Sequence, residues 1–250
     1  MFELETSKID SFRNLIKSLS VIVDEGGFSL EEDHIRLLAM DPSHVAMVDF
    51  ELPKESFERY LCDSEKKLTL NIRELLKFLD RIEKDEYVQM KLDEEKMKFI
   101  VECSRGGHSR RFVMPILEPS DGEVPSPKIF FKARARMLTR GLRHAIRDAV
   151  LVSEHTKFEF TPEELKVSAE GDVGSAMSRW DKGAEDLLEL KVEEKAGATF
   201  TLSFLQVIVN AASVSSEVVT LELSSDMPIK LDFELPQGKL VYYLAPCIGV

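Results

Sequence analysis

The chain has 250 residues, room for one or two compact units, and with 44% apolar and 31% charged residues it has the makings of a sizeable core, which excludes a disordered tail. Its 33 Lys and Arg against 45 Asp and Glu leave a formal net charge of −12. Taken whole, that charge argues against a polyanionic partner, because affinity for nucleic acid comes mainly from cations that neutralise phosphates.

In chain order, a first helix is predicted through Phe12, Leu15, Ile16 and Leu19, the spacing of a buried stripe, with Val21 to Val23 either extending it or forming a connection. A hairpin follows, turning near Glu31-Glu32-Asp33, with alternating strands through Ile35-Arg36-Leu37 and Val45 to Phe50. A second helix carries Ile72, Leu75, Leu76 and Leu79, and alternation resumes over Tyr87 to Leu92 and Lys98 to Glu102. The stretch from Glu118 to Pro127, with Pro115 just upstream, holds Pro119, Pro125, Pro127 and Gly122 and forbids regular structure.

Beyond it the pattern starts again. Phe28 to Phe50 lies on Phe158 to Trp180 without a gap; Leu68 to Ile72 answers to Phe200 to Phe204 at an offset two positions larger, and Val88 to Leu92 answers to Val219 to Leu223 at an offset one position larger. The expectation is an α+β protein of two similar domains, residues 1–117 and 129–250, joined by a loop at 118–128.

The faces opposite the apolar stripes are where the charge resolves. The first helix carries Arg13 and Lys17, the second Arg73, Lys77, Arg81 and Lys84, the third Arg136, Arg140, Arg143 and Arg147, while the fourth carries the uncharged Ser203, Gln206, Asn210 and Ser213. Residues 8–20, 71–84 and 132–148 sum to +2, +1 and +5, leaving −20 for the remainder. One basic amphipathic helix is ordinarily a solvated face. Recurrence at equivalent positions of a repeat points to a shared task, and basic faces without interleaved aromatics suit sequence-independent phosphate contact and not base readout.

No catalytic constellation stands out. Asp41, Ser43 and His44 are neighbours in a Pro-containing turn and cannot line up as base and nucleophile; Gly171 and Gly174 belong to no phosphate loop. Glu31-Glu32-Asp33, Asp93-Glu94-Glu95 and Glu193-Glu194 read as charged tips and loops, and His34, His108, His144 and His155 have no ligand spacing. Cys62, Cys103 and Cys247 encode neither disulfide framework nor zinc site, and no basic leader or 18-residue apolar run occurs. The expectation is an intracellular protein, neither secreted nor membrane-spanning, without metal, cofactor or catalytic residue.

Leu38-Ala-Met-Asp-Pro-Ser-His-Val45, Ser225-Asp-Met-Pro-Ile229, Leu240-Val-Tyr-Tyr-Leu-Ala-Pro246 and the doubled layout together resemble the proliferating cell nuclear antigen family, the sliding clamps of archaeal and eukaryotic DNA replication, with the short linker and the tail Ile248-Gly249-Val250 closer to the archaeal branch. The resemblance spans the whole chain. It implies a ring of three subunits with helices lining a channel for duplex DNA and antiparallel sheets outside, in the cytoplasm at the nucleoid for an archaeal protein or in the nucleus for a eukaryotic one. It places a pocket for client peptides at Met40, His44, Val45, Met47, Val124, Pro228, Tyr243, Leu244, Ala245, Pro246 and Cys247, with DNA polymerase, the clamp loader replication factor C, flap endonuclease and DNA ligase as clients. Subunit contacts are placed on two edges, Ser109, Arg110, Arg111, Phe112 and Val113 in one domain and Ser175, Ala176, Met177, Ser178 and Arg179 in the other. Two departures bear on function: the fourth helix lacks the positive charge usual in the family, and Gly122-Glu123 stands where apolar residues are usual. Alternatives are one subunit of a heterotrimeric or checkpoint-type clamp, assembling with paralogues, or an α+β enzyme acting on nucleic acid.

Overall fold

A computed structural model describes residues 1–119, 124–125 and 127–248. Gly122-Glu123 and three other residues of the stretch predicted as a linker, with the last two residues of the tail, thus lie outside the described residues. The chain divides into two compact units, one of Met1–Met40, Val48–Pro125 and Pro236–Lys239, the other of Asp41–Met47, Ser126–Leu235 and Leu240–Val250.

The first unit runs β1 (Phe2–Thr6), α1 (Ile9–Leu19), β2 (Glu25–Leu30), β3 (His34–Met40), β4 (Ala46–Pro53, from Val48 on), β5 (Arg59–Cys62), β6 (Lys66–Asn71), α2 (Ile72–Leu79), β7 (Tyr87–Asp93), β8 (Lys98–Arg105) and β9 (His108–Pro115). Its strands adjoin in the orders β5-β1-β7-β8-β9 and β4-β3-β2-β6. In β1, Phe2, Leu4 and Thr6 are buried while Glu3 and Glu5 alternate to the other face, the period of a pleated strand. Ile9, Leu15, Ile16 and Leu19 of α1 and Ile72, Leu75 and Leu79 of α2 are buried, so each helix lays one stripe on the core. Val21 to Val23 form a connection, since Ile22 and Val23 bond back to the Leu19 carbonyl.

The second unit runs β10 (Ala133–Leu138), α3 (Thr139–Val150), β11 (His155–Phe160), β12 (Glu164–Gly171), β13 (Gly174–Asp181), β14 (Leu187–Val192), β15 (Ala196–Thr201), α4 (Leu202–Ala212), β16 (Val218–Leu223), β17 (Ile229–Phe233) and β18 (Lys239–Leu244). Its orders, β14-β10-β16-β17-β18 and β13-β12-β11-β15, repeat those of the first unit strand for strand. Individual bonds repeat too. The Ile72 amide donates to the Asp24 carbonyl at 2.8 Å and Leu202 to Glu154 at 2.9 Å; Glu31 donates to His34 across its turn and Thr161 to Glu164 across the equivalent one, both at 2.9 Å.

The duplication corrects one alignment. Phe28 pairs with Leu68, and Phe158 pairs with Ala198, so β6 and β15 keep the offset that relates Phe28 to Phe158 and not the larger one. The shared Thr-Leu of Leu68-Thr-Leu70 and Phe200-Thr-Leu202 sits two positions out of structural register. The offset read for Val88 to Leu92 holds: Phe2 pairs with Leu92 and Ala133 with Leu223. Among the described residues, no helix is long and apolar enough to cross a membrane.

Candidate functional site

Apart from Arg143, the basic side chains expected on helix faces separate into three groups. Lys17 on α1 and Arg147 on α3 stand at equivalent positions of the repeat, exposed and without an ion pair among the described residues. Arg81 and Lys84 are also exposed, but lie in the turn that follows α2. A second group is exposed with a partner: Arg73 pairs with Asp24 at 2.6 Å, Lys77 with Glu74 at 2.6 Å and Arg140 with Asp186 at 2.7 Å. Such surface pairs are weak, about 0–1 kcal/mol, and yield readily to a phosphate.

Arg13 and Arg136 form the third group and correct the expectation. Arg136 is not on α3 but on β10, where it makes a two-pronged pair with Glu234 at 2.5 and 2.7 Å. Ala133, Ala135 and Met137 are buried and alternate with Arg134 and Arg136, so this segment is a strand and the helix begins at Thr139. Lys132 and Arg134 likewise face Glu193, Glu194 and Glu189. The four helices proper therefore sum to +4, not +8: +1 on each of α1 and α2, +2 on α3 and none on α4.

Arg13 turns onto the end of α2. Its Nε donates to the Leu79 carbonyl at 2.9 Å and its Nη2 to the Ile82 carbonyl at 2.6 Å, with Asp10 and Asp80 beside it. A cation here adds a second bond to the Leu79 carbonyl, which also accepts the Ile82 amide at 3.1 Å, binds the Ile82 carbonyl just past the helix, and complements the negative end of the helix dipole. Arg143, its counterpart in the second unit, donates from Nε to Asn210, the counterpart of Asp80, at 2.9 Å. One arginine thus bridges the helix pair in each unit. Arg13→Ala is expected to cost about 1–3 kcal/mol of stability, from hydrogen bonds to a charged donor, read as a lowered urea midpoint with unchanged slope. Arg143→Ala, with one bond to an exposed pair, is expected to cost less than half as much.

The loop between β3 and β4 is built around Asp41. Its Oδ1 accepts from the Val45 amide at 2.7 Å and the Ala46 amide at 2.6 Å, and its Oδ2 from the Ser43 amide at 2.9 Å and from the Ser43 hydroxyl. This arrangement holds the exposed His44 at a left-handed φ of 59°. Burial pushes the Asp41 carboxyl up, but the bonds from Ala46, Ser43 and Val45 outweigh it and hold it below the usual range. A depressed carboxyl contributes stability that is present above about pH 3.9, its unfolded value, and is lost as pH falls through the lower folded value. Asp41→Ala is expected to cost about 1–3 kcal/mol at neutral pH by leaving buried amides unpaired, with the gap to the native chain narrowing below about pH 3.9 in urea titrations.

The Val45 carbonyl accepts the Ala245 amide at 2.8 Å, and Pro228 leads into β17, whose Ile229 pairs with Leu244 and Lys230 with Tyr243. Val45, Pro228, Tyr243, Ala245 and Pro246 are half-buried and so come together with accessible surface. Cys247 is half-buried as well; its amide donates to the Thr199 carbonyl at 2.8 Å and its Sγ lies 3.2 Å from the Thr201 hydroxyl, which ties the tail to β15. Met40, at the end of β3, and Val124 are half-buried. Two expected residues are not available. Leu244 is buried because neighbours along a strand face opposite sides and Tyr243 and Ala245 occupy the other one, and Met47 is buried because β4 is covered on both faces from Ala46 to Phe50.

Two strands end their sheets among the described residues with mostly exposed side chains: β9 and β13. On β9, Val113 is 42% exposed, and Phe112 stacks on Phe78 of α2 with ring centres 5.2 Å apart while the Arg110 guanidinium, paired to Glu86, lies 5.9 Å from the Phe112 ring. Ser109 and Arg111 are exposed alongside. On β13, Ser175, Met177 and Arg179 are exposed, Ala176 and Ser178 half-buried. Unpaired edges of this length invite another strand unless something covers them. At the first hairpin tip, ligand atoms of Glu31, Asp33 and His34 lie within 4.8 Å of one another, and both His34 nitrogens are already engaged, Nδ1 with Asp33 at 2.7 Å and Nε2 with Glu31 at 3.4 Å.

Residues 1–115 match the family model of the proliferating cell nuclear antigen N-terminal domain and residues 126–248 that of its C-terminal domain. The chain is 36% identical over 236 residues to DNA polymerase sliding clamp 1 of Pyrobaculum aerophilum, covering 94% of each chain, and 31% identical over 247 residues to the DNA polymerase sliding clamp of Thermococcus gammatolerans, covering 98% of each. A crystal structure of PCNA from Thermococcus kodakaraensis superposes with a TM-score of 0.91 at 25% identity, over 99% of this chain and all of that one. With both halves matched in order and at full length, the chain belongs to the proliferating cell nuclear antigen family.

Proposed function

We propose that this chain is a DNA sliding clamp: three copies close into a ring around duplex DNA at the nucleoid, tether the replicative polymerase, and carry other replication and repair proteins on the outside. The observation that carries the reading is the full-length match to DNA polymerase sliding clamps, in a chain that repeats an exposed cation without an ion pair among the described residues, Lys17 and Arg147, at equivalent places of its two helix pairs. Enclosure and not affinity supplies the processivity. Phosphate contacts need only be weak and interchangeable, since tight ones would stop movement along the duplex. An acidic remainder keeps duplex from settling anywhere but on the basic helix faces.

Ring closure is assigned to β9 of one chain and β13 of the next. Because the two edges differ, the contact is head-to-tail, and a ring of three forms when the rotation between neighbours closes after three copies. Client peptides from polymerase, clamp loader, flap endonuclease and ligase are assigned to Met40, His44, Val45, Val124, Pro228, Tyr243, Ala245, Pro246 and Cys247. Methionine and small apolar side chains there offer an adaptable surface for many partners. Met40→Asp or Val45→Asp is expected to weaken a client peptide at least 100-fold by calorimetry, since a carboxylate in an apolar pocket loses its water, while duplex encirclement is retained. The reading as a whole is tested on primed circular DNA with a polymerase and an ATP-driven clamp loader. Products are expected to lengthen when the chain is added; products of unchanged length contradict it.

A further inference from the structure

The two helix pairs are copies, but their outward faces are not. In the register of the repeat, Arg73, Lys77, Arg81 and Lys84 of the first unit become Ser203, Val207, Ala211 and Val214 of the second. Val207 is 40% exposed on α4 and Val214 64% exposed just beyond it. The polar side chains expected to form this face are spent within the chain. Asn210 accepts from Arg143 at 2.9 Å, the Ser213 hydroxyl donates back to the Asn210 carbonyl at 3.0 Å, and Gln206 is half-buried, so Ser203 is the one exposed polar residue of the expected set.

Resting on the sliding-clamp reading, we propose that phosphate contact is divided unequally within the chain: Lys17, Arg73, Lys77, Arg81, Lys84, Arg140 and Arg147 carry it, and α4 presents the duplex with a neutral, largely apolar face that makes no phosphate contact. Valine methyl groups offer no donor to a phosphate oxygen. Counterions opposite α4 therefore stay with the DNA, and that stretch adds nothing to the salt dependence of binding. Arg143 reaches α4 from α3 through its bond to Asn210. Replacing a basic face by valines lowers the number of phosphates held at any instant without changing the fold that presents them. Mobility along the duplex gains from that reduction.

The test measures the salt dependence of full-length chain binding to a 40-base-pair duplex by fluorescence anisotropy. Four proteins are compared: the native chain; Lys17→Gln with Lys77→Gln and Arg147→Gln; Ser203→Ala with Gln206→Ala; and Ser203→Arg with Val207→Lys and Val214→Lys, which copies α2 onto α4. The glutamine protein is expected to lose roughly one unit of log–log slope per phosphate contact removed, the alanine protein to match the native chain within twofold, and the basic protein to gain slope by a similar step per contact. Circular dichroism melts verify that each variant is folded. A fivefold or larger loss of affinity in the alanine protein overturns the proposal, because α4 would then be a contact surface. If neither the glutamine nor the basic protein differs from native, the helix faces do not meet DNA, and the sliding-clamp reading fails together with the proposal.

Discussion

Val113→Asp, or separately Met177→Asp, is expected to convert a trimer of about three times 28.4 kDa into single chains at micromolar concentration, as read by native mass measurement. Val113 and Met177 are 42% and 64% exposed in the single chain, on the β9 and β13 edges that the proposed ring pairs. Covering such a side chain at an interface contributes about 1.5–3 kcal/mol, whereas covering a carboxylate without a partner costs several kcal/mol. The swing recurs at each of three contacts in a ring. Neither substitution disturbs the single chain, so the melting of the isolated subunit stays within a few degrees of the parent's. Variants that remain trimeric contradict the assignment of both edges. A parent chain that is monomeric alone, and trimeric only with paralogues, assigns it instead to a heterotrimeric clamp.

Reversing Arg140, Arg143 and Arg147 to Glu together is expected to reduce duplex retention on the order of 100-fold or more at physiological salt while leaving the trimer intact. All three are exposed on one face of α3, and the change amounts to six charge units per chain. The bonds sacrificed, Arg140 to Asp186 and Arg143 to Asn210, are surface contacts whose loss costs about 0–1 kcal/mol each. Arg147→Glu alone isolates phosphate contact from that small structural cost, since Arg147 has no ion pair among the described residues. Processive synthesis by the triple variant at ordinary salt contradicts the helix-face assignment.

Part of the fold was legible because two local signals are written strongly. The 3.6-residue stripe of Ile72, Leu75, Leu76 and Leu79 located α2, and the acidic tip at Glu31-Glu32-Asp33 located the turn between β2 and β3. The misplaced residues trace to specific physical causes. Arg136 sits four residues before Arg140, which imitates one helical turn and hides the change from strand to helix at Thr139; the alternation of Ala133, Ala135 and Met137 was the opposing signal. Arg13 could be placed on a polar face from spacing, but its bonds to Leu79 and Ile82 span 66 and 69 residues, beyond the reach of local pattern. The duplication itself held a clue, because Arg13 and Arg143 are the same residue type at the shared offset.

Met47 and Leu244 show a different limit. A motif identifies a run of residues, whereas a packed strand leaves only some of them accessible: within Leu240 to Pro246 the half-buried side chains are Tyr243, Ala245 and Pro246, and the other four are buried. The net charge of −12 misled in the opposite direction, by averaging exposed cations on three helices with acids elsewhere. Counting only the helices as they stand leaves +4, half of the figure drawn from sequence segments, with Lys132, Arg134 and Arg136 neutralised on and beside β10. A lighter basic lining agrees with contacts that hold duplex loosely.

Topological enclosure is tested by loading the chain onto nicked circular duplex and then cutting the circle once with a restriction enzyme. The chain is expected to stay with the circle through gel filtration and to leave within minutes of linearisation, by running off the ends. Equal retention on circular and linear DNA would contradict it, since the chain would then be held by affinity and not by enclosure.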